Sequence, residues 1–154
     1  MEQPCTQHQC VETQNKRWFI GAHSNVGGGY SRDLLAQVPL KWIQEGASDA
    51  GLEFRAMMQL GGHEHLDGQV VDSYRRFMKG IYRMSTFGRR HYRGIGRPDR
   101  EVTKGFVETV NESIDSTVFD RWQKDLLYRP ENLREWAINR QFDLDHEPVQ
   151  DRPA

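Results

Sequence analysis

The sequence has little cysteine. Its two, Cys5 and Cys10, lie in a polar N-terminal stretch, make no disulfide framework, and read as the reduced thiols of a cytosolic protein. Cys5, His8 and Cys10 have the wrong spacing for a common zinc site, so no metal is expected there. Long apolar runs are also missing. None approaches the ~18 residues of a membrane span, and the first residues lack the basic and apolar regions of a signal peptide. A cytoplasmic product with no transmembrane segment is therefore expected, and export by a dedicated secretion system would leave nothing to read here. Net charge is −1, so no global field draws nucleic acid, which is not an expected partner. The chain carries no Walker-type phosphate loop and no dinucleotide fingerprint, hence no cofactor is expected. It contains no G-x-S-x-G nucleophile elbow and no internal repeat.

What is present suffices for a folded domain. The chain has 154 residues, with four Trp, seven Phe and five Tyr, which argue against full disorder. Residues 1–16 read as a polar segment. Residues 17–22 are short, aromatic, β-branched and ended by glycine, the pattern of a strand. A glycine-rich loop follows over 24–38. Pro39 sits near a helix start, with Leu40, Ile43 and Ala47 on one face beside Trp42. Gly51 closes that helix, and Leu52 is placed for the contact beyond the cap. Residues 60–68 read as turns. Val70, Tyr74, Phe77, Met78 and Ile81 form a second helical stripe, and 88–100 an exposed loop. Phe106, Val110, Ile114, Val118 and Trp122 recur at i+4 and predict a third helix. Pro130 opens a last one with Leu133, Trp136 and Ala137. From residue 142 the acids and prolines predict a flexible tail. One strand with four helices is an odd inventory, because an α/β core needs several strands. It suits a small helical domain or a piece of something larger.

The chemistry concentrates in Arg17-Trp18-Phe19-Ile20-Gly21-Ala22-His23-Ser24-Asn25-Val26-Gly27-Gly28-Gly29-Tyr30. An imidazole titrates near neutral pH and can take and return a proton. A lone histidine is more often structural, but this one lies between an apolar strand and three glycines, where it would be presented rather than buried. Acyl transfer would need a serine or cysteine to activate and a carboxylate to orient the ring. Ser24 is poorly placed, because neighbouring strand residues point to opposite faces. Gly27, Gly28 and Gly29 suit either a tight turn or a loop facing substrate.

Two other clusters stand out. Between Arg75 and Lys104 there are ten Lys/Arg against two acids. Within that stretch Arg89, Arg90 and Arg93, interleaved with His91 and Tyr92, suit contact with an anion such as a lipid headgroup, or else form a solvated loop. His63 and His65 would share one face of a strand and could hold a metal, but in a loop they are ordinary polar residues, and no metal site is assigned.

The segment Trp18-Phe19-x-Gly21-x-His23-Ser24-x-Val26-Gly27-Gly28-Gly29-Tyr30 resembles the histidine motif of the type VI secretion phospholipase effector catalytic-domain family, an α/β-hydrolase-like family once classed as a domain of unknown function. Leu40-x-Trp42-Ile43 with Ala47 and Gly51-Leu52 resembles its next helix. Glu108-Thr109-Val110-x-Glu112-Ser113, Asp120-Arg121-Trp122 and Tyr128-Arg129-Pro130-x-Asn132-Leu133 resemble its C-terminal segment. The likeness runs over about residues 15–135.

It implies a C-terminal fragment of an α/β-hydrolase fold, here mostly helical with one clear strand at 17–22, spanning a partial domain at 17–141. It implies an esterase or phospholipase with a Ser-Asp-His triad in which His23 takes the histidine's place. The family's nucleophilic serine and triad aspartate have no counterpart in this sequence. An upstream polypeptide supplying them, and a lipid or ester substrate, are thus the implied partners, and the chain alone is expected to be inactive. Asn25 stands where the family pattern leads one to expect Asp: if that Asp is catalytic or binds an ion, Asn25 removes the charge, whereas if it caps a turn, Asn serves. The alternative is a non-catalytic interaction module whose basic loop contacts an anionic partner. A missing sheet would leave helical faces exposed, so the isolated chain is expected to aggregate or to be partly molten.

Overall fold

The structure, a computed structural model, describes residues 16–31, 33–62, 67–70, 93–96 and 111–154. The expected second helix over 70–81 falls almost wholly outside these residues, as do the Cys5/His8/Cys10 and His63/His65 groups. The chain divides into two compact units, Met1–Trp18 with His91–Ala154, and Phe19–Arg90.

The first unit is organised by non-local pairing. Strand β1 (Lys16–Trp18) lies parallel to β2 (Glu112–Ile114), and β2 pairs antiparallel with β3 (Arg152–Pro153), in the order β1-β2-β3. The register sets Trp18 opposite Ile114 and Ile114 opposite Arg152. The mixed sheet with helices makes the class α/β. Among the described residues there are three short strands, not one, and β1 ends at Trp18 rather than running to residue 22.

The predicted third helix is also revised. Ile114 belongs to β2, and helix α3 begins only at Ser116 and runs to Lys124 (numbered after α1, His23–Val26, and α2, Gln37–Asp49). Two residues enforce the break. Asn111 adopts a positive φ of 56°, a conformation Asn tolerates better than most. Asp115 is the N-cap, accepting a hydrogen bond from the Thr117 amide at 3.0 Å and so satisfying an orphan donor of the first turn. Of the i+4 series, Ile114 is fully buried, and Val118 and Trp122 nearly so.

Helix α4 (Glu131–Arg140) is the element foreseen after Pro130, and Leu133, Trp136 and Ala137 form its buried face. Phe119 of α3, Trp136 of α4 and Phe142 beyond it make a three-ring cluster with centroids 5.2–5.8 Å apart and tilted planes, within the favoured range for aromatic pairs. Arg129 stacks 4.2 Å above the Trp122 ring and donates to the Trp122, Asp125 and Tyr128 carbonyls. It thereby closes the connection between α3 and α4.

Residues 142–154, expected as a flexible tail, pack onto this unit. Leu144 is buried, Asp145 accepts from Trp122 Nε1 at 2.8 Å, and Arg152–Pro153 form β3. Charges that suggested fraying, among them Asp145 and Asp151, serve as partners instead.

The second unit holds a one-turn helix α1 (His23–Val26) and helix α2 (Gln37–Asp49). Pro39 lies in the first turn of α2, where its missing N–H goes unneeded. The helix ends as the sequence predicts. Gly51 has φ +93°, the Leu52 amide reaches the Ala47 carbonyl at 2.9 Å, and the Gly51 amide reaches the Ser48 carbonyl at 2.9 Å, which is the Schellman arrangement. A methyl group at Gly51 would meet nothing within 4 Å. Gly51→Ala should therefore cost about 1–2 kcal/mol through backbone strain alone, measurable as a lowered urea midpoint at unchanged slope.

Ile20, Leu35 and Val38 are buried in this unit, and Phe19 packs against Trp42 with ring centroids 5.6 Å apart. The predicted inward face of α2 behaves differently. Leu40 and Ile43 are 43% and 57% exposed.

Candidate functional site

β1 ends five residues before His23, so the histidine does not stand at a strand terminus. It is the first residue of α1, after a bend at Ile20 and Gly21. Gly21 has φ +108°, and a Cβ there would fall 2.6 Å from Asn25 Cβ. Glycine is required at that position on both counts. Ala22 is extended and its carbonyl accepts from the Asn25 and Val26 amides at 2.9 and 3.1 Å. The His23 side chain is exposed, and among the described residues no hydrogen bond to its ring is found.

Asn25 is the anchor of this turn. It is fully buried. Its Oδ1 accepts from the Ala22 amide at 3.2 Å, and its Nδ2 donates to Asp33 Oδ2 at 3.0 Å and to the Gln69 carbonyl at 3.3 Å. Both ends of the amide are thus used, as a buried polar group requires. Asp33 in turn accepts from the Leu35 amide through its other oxygen at 3.1 Å. The sequence left open whether position 25 caps a turn or carries charge chemistry. Here the residue does structural work that a carboxylate could not do, because two of its three partners are acceptors.

The three glycines terminate α1. Gly28 has φ +73°, and the Gly29 amide bonds back to the Ser24 carbonyl at 2.7 Å, closing the turn as a glycine cap does. Gly27 donates to the His23 carbonyl at 2.8 Å. All three are exposed, on the same turn as His23. Ser24 follows His23 in a helical turn, where adjacent side chains diverge.

The anion cluster is only partly visible. Arg89 and Arg90 lie outside the described residues. Arg93 is exposed, and its carbonyl accepts from Asn132 Nδ2 at 3.1 Å. Among the described residues no group of three His, Cys, Asp or Glu is arranged to hold a metal, and no helix is long and apolar enough to cross a membrane.

The first unit contains a histidine–carboxylate pair that the sequence did not single out. His146 Nδ1 lies 2.9 Å from Asp143 Oδ2. The Asp143 carboxyl is held below the usual carboxylate range, first by the Asp145 amide that donates to it and then by His146. Both side chains are more than half exposed, and water screens such surface pairs strongly. Asp143 also borders an open depression of about 430 Å³ between Trp122, Arg134, Ala137 and Phe142. Among the described residues no serine or cysteine lines it, and the pair reads as the tie of the turn after α4.

Comparison with known proteins finds no matching family model, no similar curated protein and no similar solved structure.

Proposed function

We propose that this chain is the histidine-bearing part of a serine ester hydrolase of phospholipase or esterase type, inactive until a second polypeptide supplies the nucleophile and the aspartate. The observation that supports this reading most is the construction at His23. A buried asparagine fixes the turn, and the imidazole projects from it, exposed and unbonded among the described residues. A general base needs both a fixed origin and an accessible ring. His23 would take the serine hydroxyl proton as Oγ attacks the ester carbonyl, then hand it to the departing alkoxide as the acyl-enzyme forms. Water would repeat the cycle in deacylation. The glycines beside His23 leave room for the partner chain and the substrate to approach.

The test is reconstitution. The chain is produced alone and together with the polypeptide encoded immediately upstream, and hydrolysis of a short-chain p-nitrophenyl ester and of a phospholipid is followed. Activity is expected only from the pair. His23→Ala should lower its kcat on the order of 10⁶-fold.

A second reading is favoured by one observation. Leu40, Ile43, Leu52, Phe54 and Met57 are all exposed in the second unit, more apolar surface than a single helix and its following segment ordinarily leave in water. A non-catalytic interaction module would use such a surface. Reconstituted hydrolysis that depends on His23 separates the two.

A further inference from the structure

Residues 147–154 are docked on the first unit in an unusual way. The contacts are numerous and specific. β3 extends the sheet at the β2 edge, and the Ala154 amide donates to the Glu112 carbonyl at 2.9 Å. Asp151 bridges two elements: Oδ1 accepts from the Ser116 amide at 2.8 Å at the start of α3, and Oδ2 pairs with Arg17 Nη1 of β1 at 2.9 Å. The Arg152 guanidinium lies 5.0 Å from the centre of the Phe142 ring. Arg140 donates to the Ala154 carbonyl. A Cβ at Gly96 would come within 2.8 Å of the Ala154 carbonyl carbon, so the groove is shaped to admit this backbone.

Yet the segment buries almost nothing apolar. Val149 is 40% exposed, Pro153 is exposed, and none of residues 147–154 is buried. By contrast Ile114, on the strand it pairs with, has no exposure at all. Backbone pairing supplemented by side-chain pockets and charge partners is how extended peptides bind a sheet edge in trans. Segments with few buried apolar contacts open at low free energy, independently of the core.

We infer that the β2 edge, with Arg17, the start of α3, Phe142 and Gly96, is a peptide-binding groove for an extended Asp-Arg-Pro-Ala sequence, filled in cis by residues 151–154 and able to take the same sequence from a second molecule. The inference does not depend on the hydrolase reading.

An exchange experiment on the full chain tests it. A fluorescent peptide with the sequence of residues 147–154 is titrated by anisotropy into the wild-type chain and into Asp151→Ala. The resident segment competes with the peptide in the wild type at high effective concentration. Losing its charge-assisted contacts should free the groove and strengthen peptide binding about tenfold, while a scrambled peptide binds neither protein. Equal or absent binding to the two proteins, or equal binding of the scrambled peptide, would overturn the inference.

Hydrogen exchange on the wild-type chain gives a second reading that needs no variant. The Ala154 and Ser116 amides should exchange together, and faster than the Asp115 amide, which donates to the Trp18 carbonyl at 3.0 Å between β2 and β1. Exchange of all three at one common rate would mean that the segment opens only with the whole unit, and the inference fails.

Discussion

Replacing Asn25 by Asp is expected to cost roughly 3 kcal/mol of stability, the largest effect of any single-atom-scale change in the second unit. The substitution exchanges an NH₂ for an oxygen with almost no change of shape. What changes is the sign of two interactions. Nδ2 now donates to Asp33 Oδ2 and to the Gln69 carbonyl. A carboxylate at position 25 would face one acceptor and one like charge, in a site with no exposure to water. Burying an unpaired charge beside another is among the costliest things a substitution can do. Asn25→Ala serves as the comparison, since it removes the partners without adding charge, and should cost less. Lowering the pH should narrow the gap between Asn25→Asp and wild type, because a protonated carboxyl regains one donor. Urea unfolding of the three proteins at neutral and mildly acidic pH measures all of this. An Asn25→Asp protein as stable as wild type would mean that position 25 tolerates a charge, and would reopen a catalytic or ion-binding role for it.

Truncating Trp136 to Ala should cost about 3–5 kcal/mol and leave the first unit close to unfolded, given how small total stabilities are. Trp136 is 6% exposed and touches both other rings of the aromatic cluster. Its Nε1 is buried and has no hydrogen-bond partner among the described residues. Trp136→Phe therefore removes an unsatisfied donor while keeping most of the packing, and should cost less than half as much. Thermal unfolding of the pair decides whether the ring or its N–H matters. If both variants lose the same stability, the indole nitrogen has a partner and the packing account of this cluster is wrong.

Local signals were legible in the sequence, and pairing at a distance was not. Gly51 with Leu52, and Pro130 with Leu133, Trp136 and Ala137, were readable because caps and helical stripes are encoded within a few residues. The series from Phe106 to Trp122 misled for a physical reason. Spacing by four fits one long helix, but it also fits a strand residue followed by a capped helix, and Asp115 and Asn111 were the local evidence for a break. The run at 17–22 was apolar enough for a strand, yet Ile20 belongs to the other unit, where it is buried. Only Lys16–Trp18 finds a partner, Glu112–Ile114, far along the chain. Residues 147–154 looked frayed because they are held by backbone and charge, which leave no hydrophobic pattern. At the candidate site the histidine and its glycines could be named from sequence. Asn25 stood out as a departure from a family pattern, but its structural role depends on Asp33 and on Gln69, the latter 44 residues away, and no local rule brings those together.

The measurement that bears most directly on the hydrolase proposal is ester hydrolysis by the chain produced with its upstream polypeptide, with wild-type His23 and with His23→Ala. The proposal predicts that the chain alone is inactive, that the pair hydrolyses the ester, and that the histidine variant of the pair does not. Hydrolysis that is unaffected by His23→Ala, or a pair as inactive as the chain alone, would contradict it.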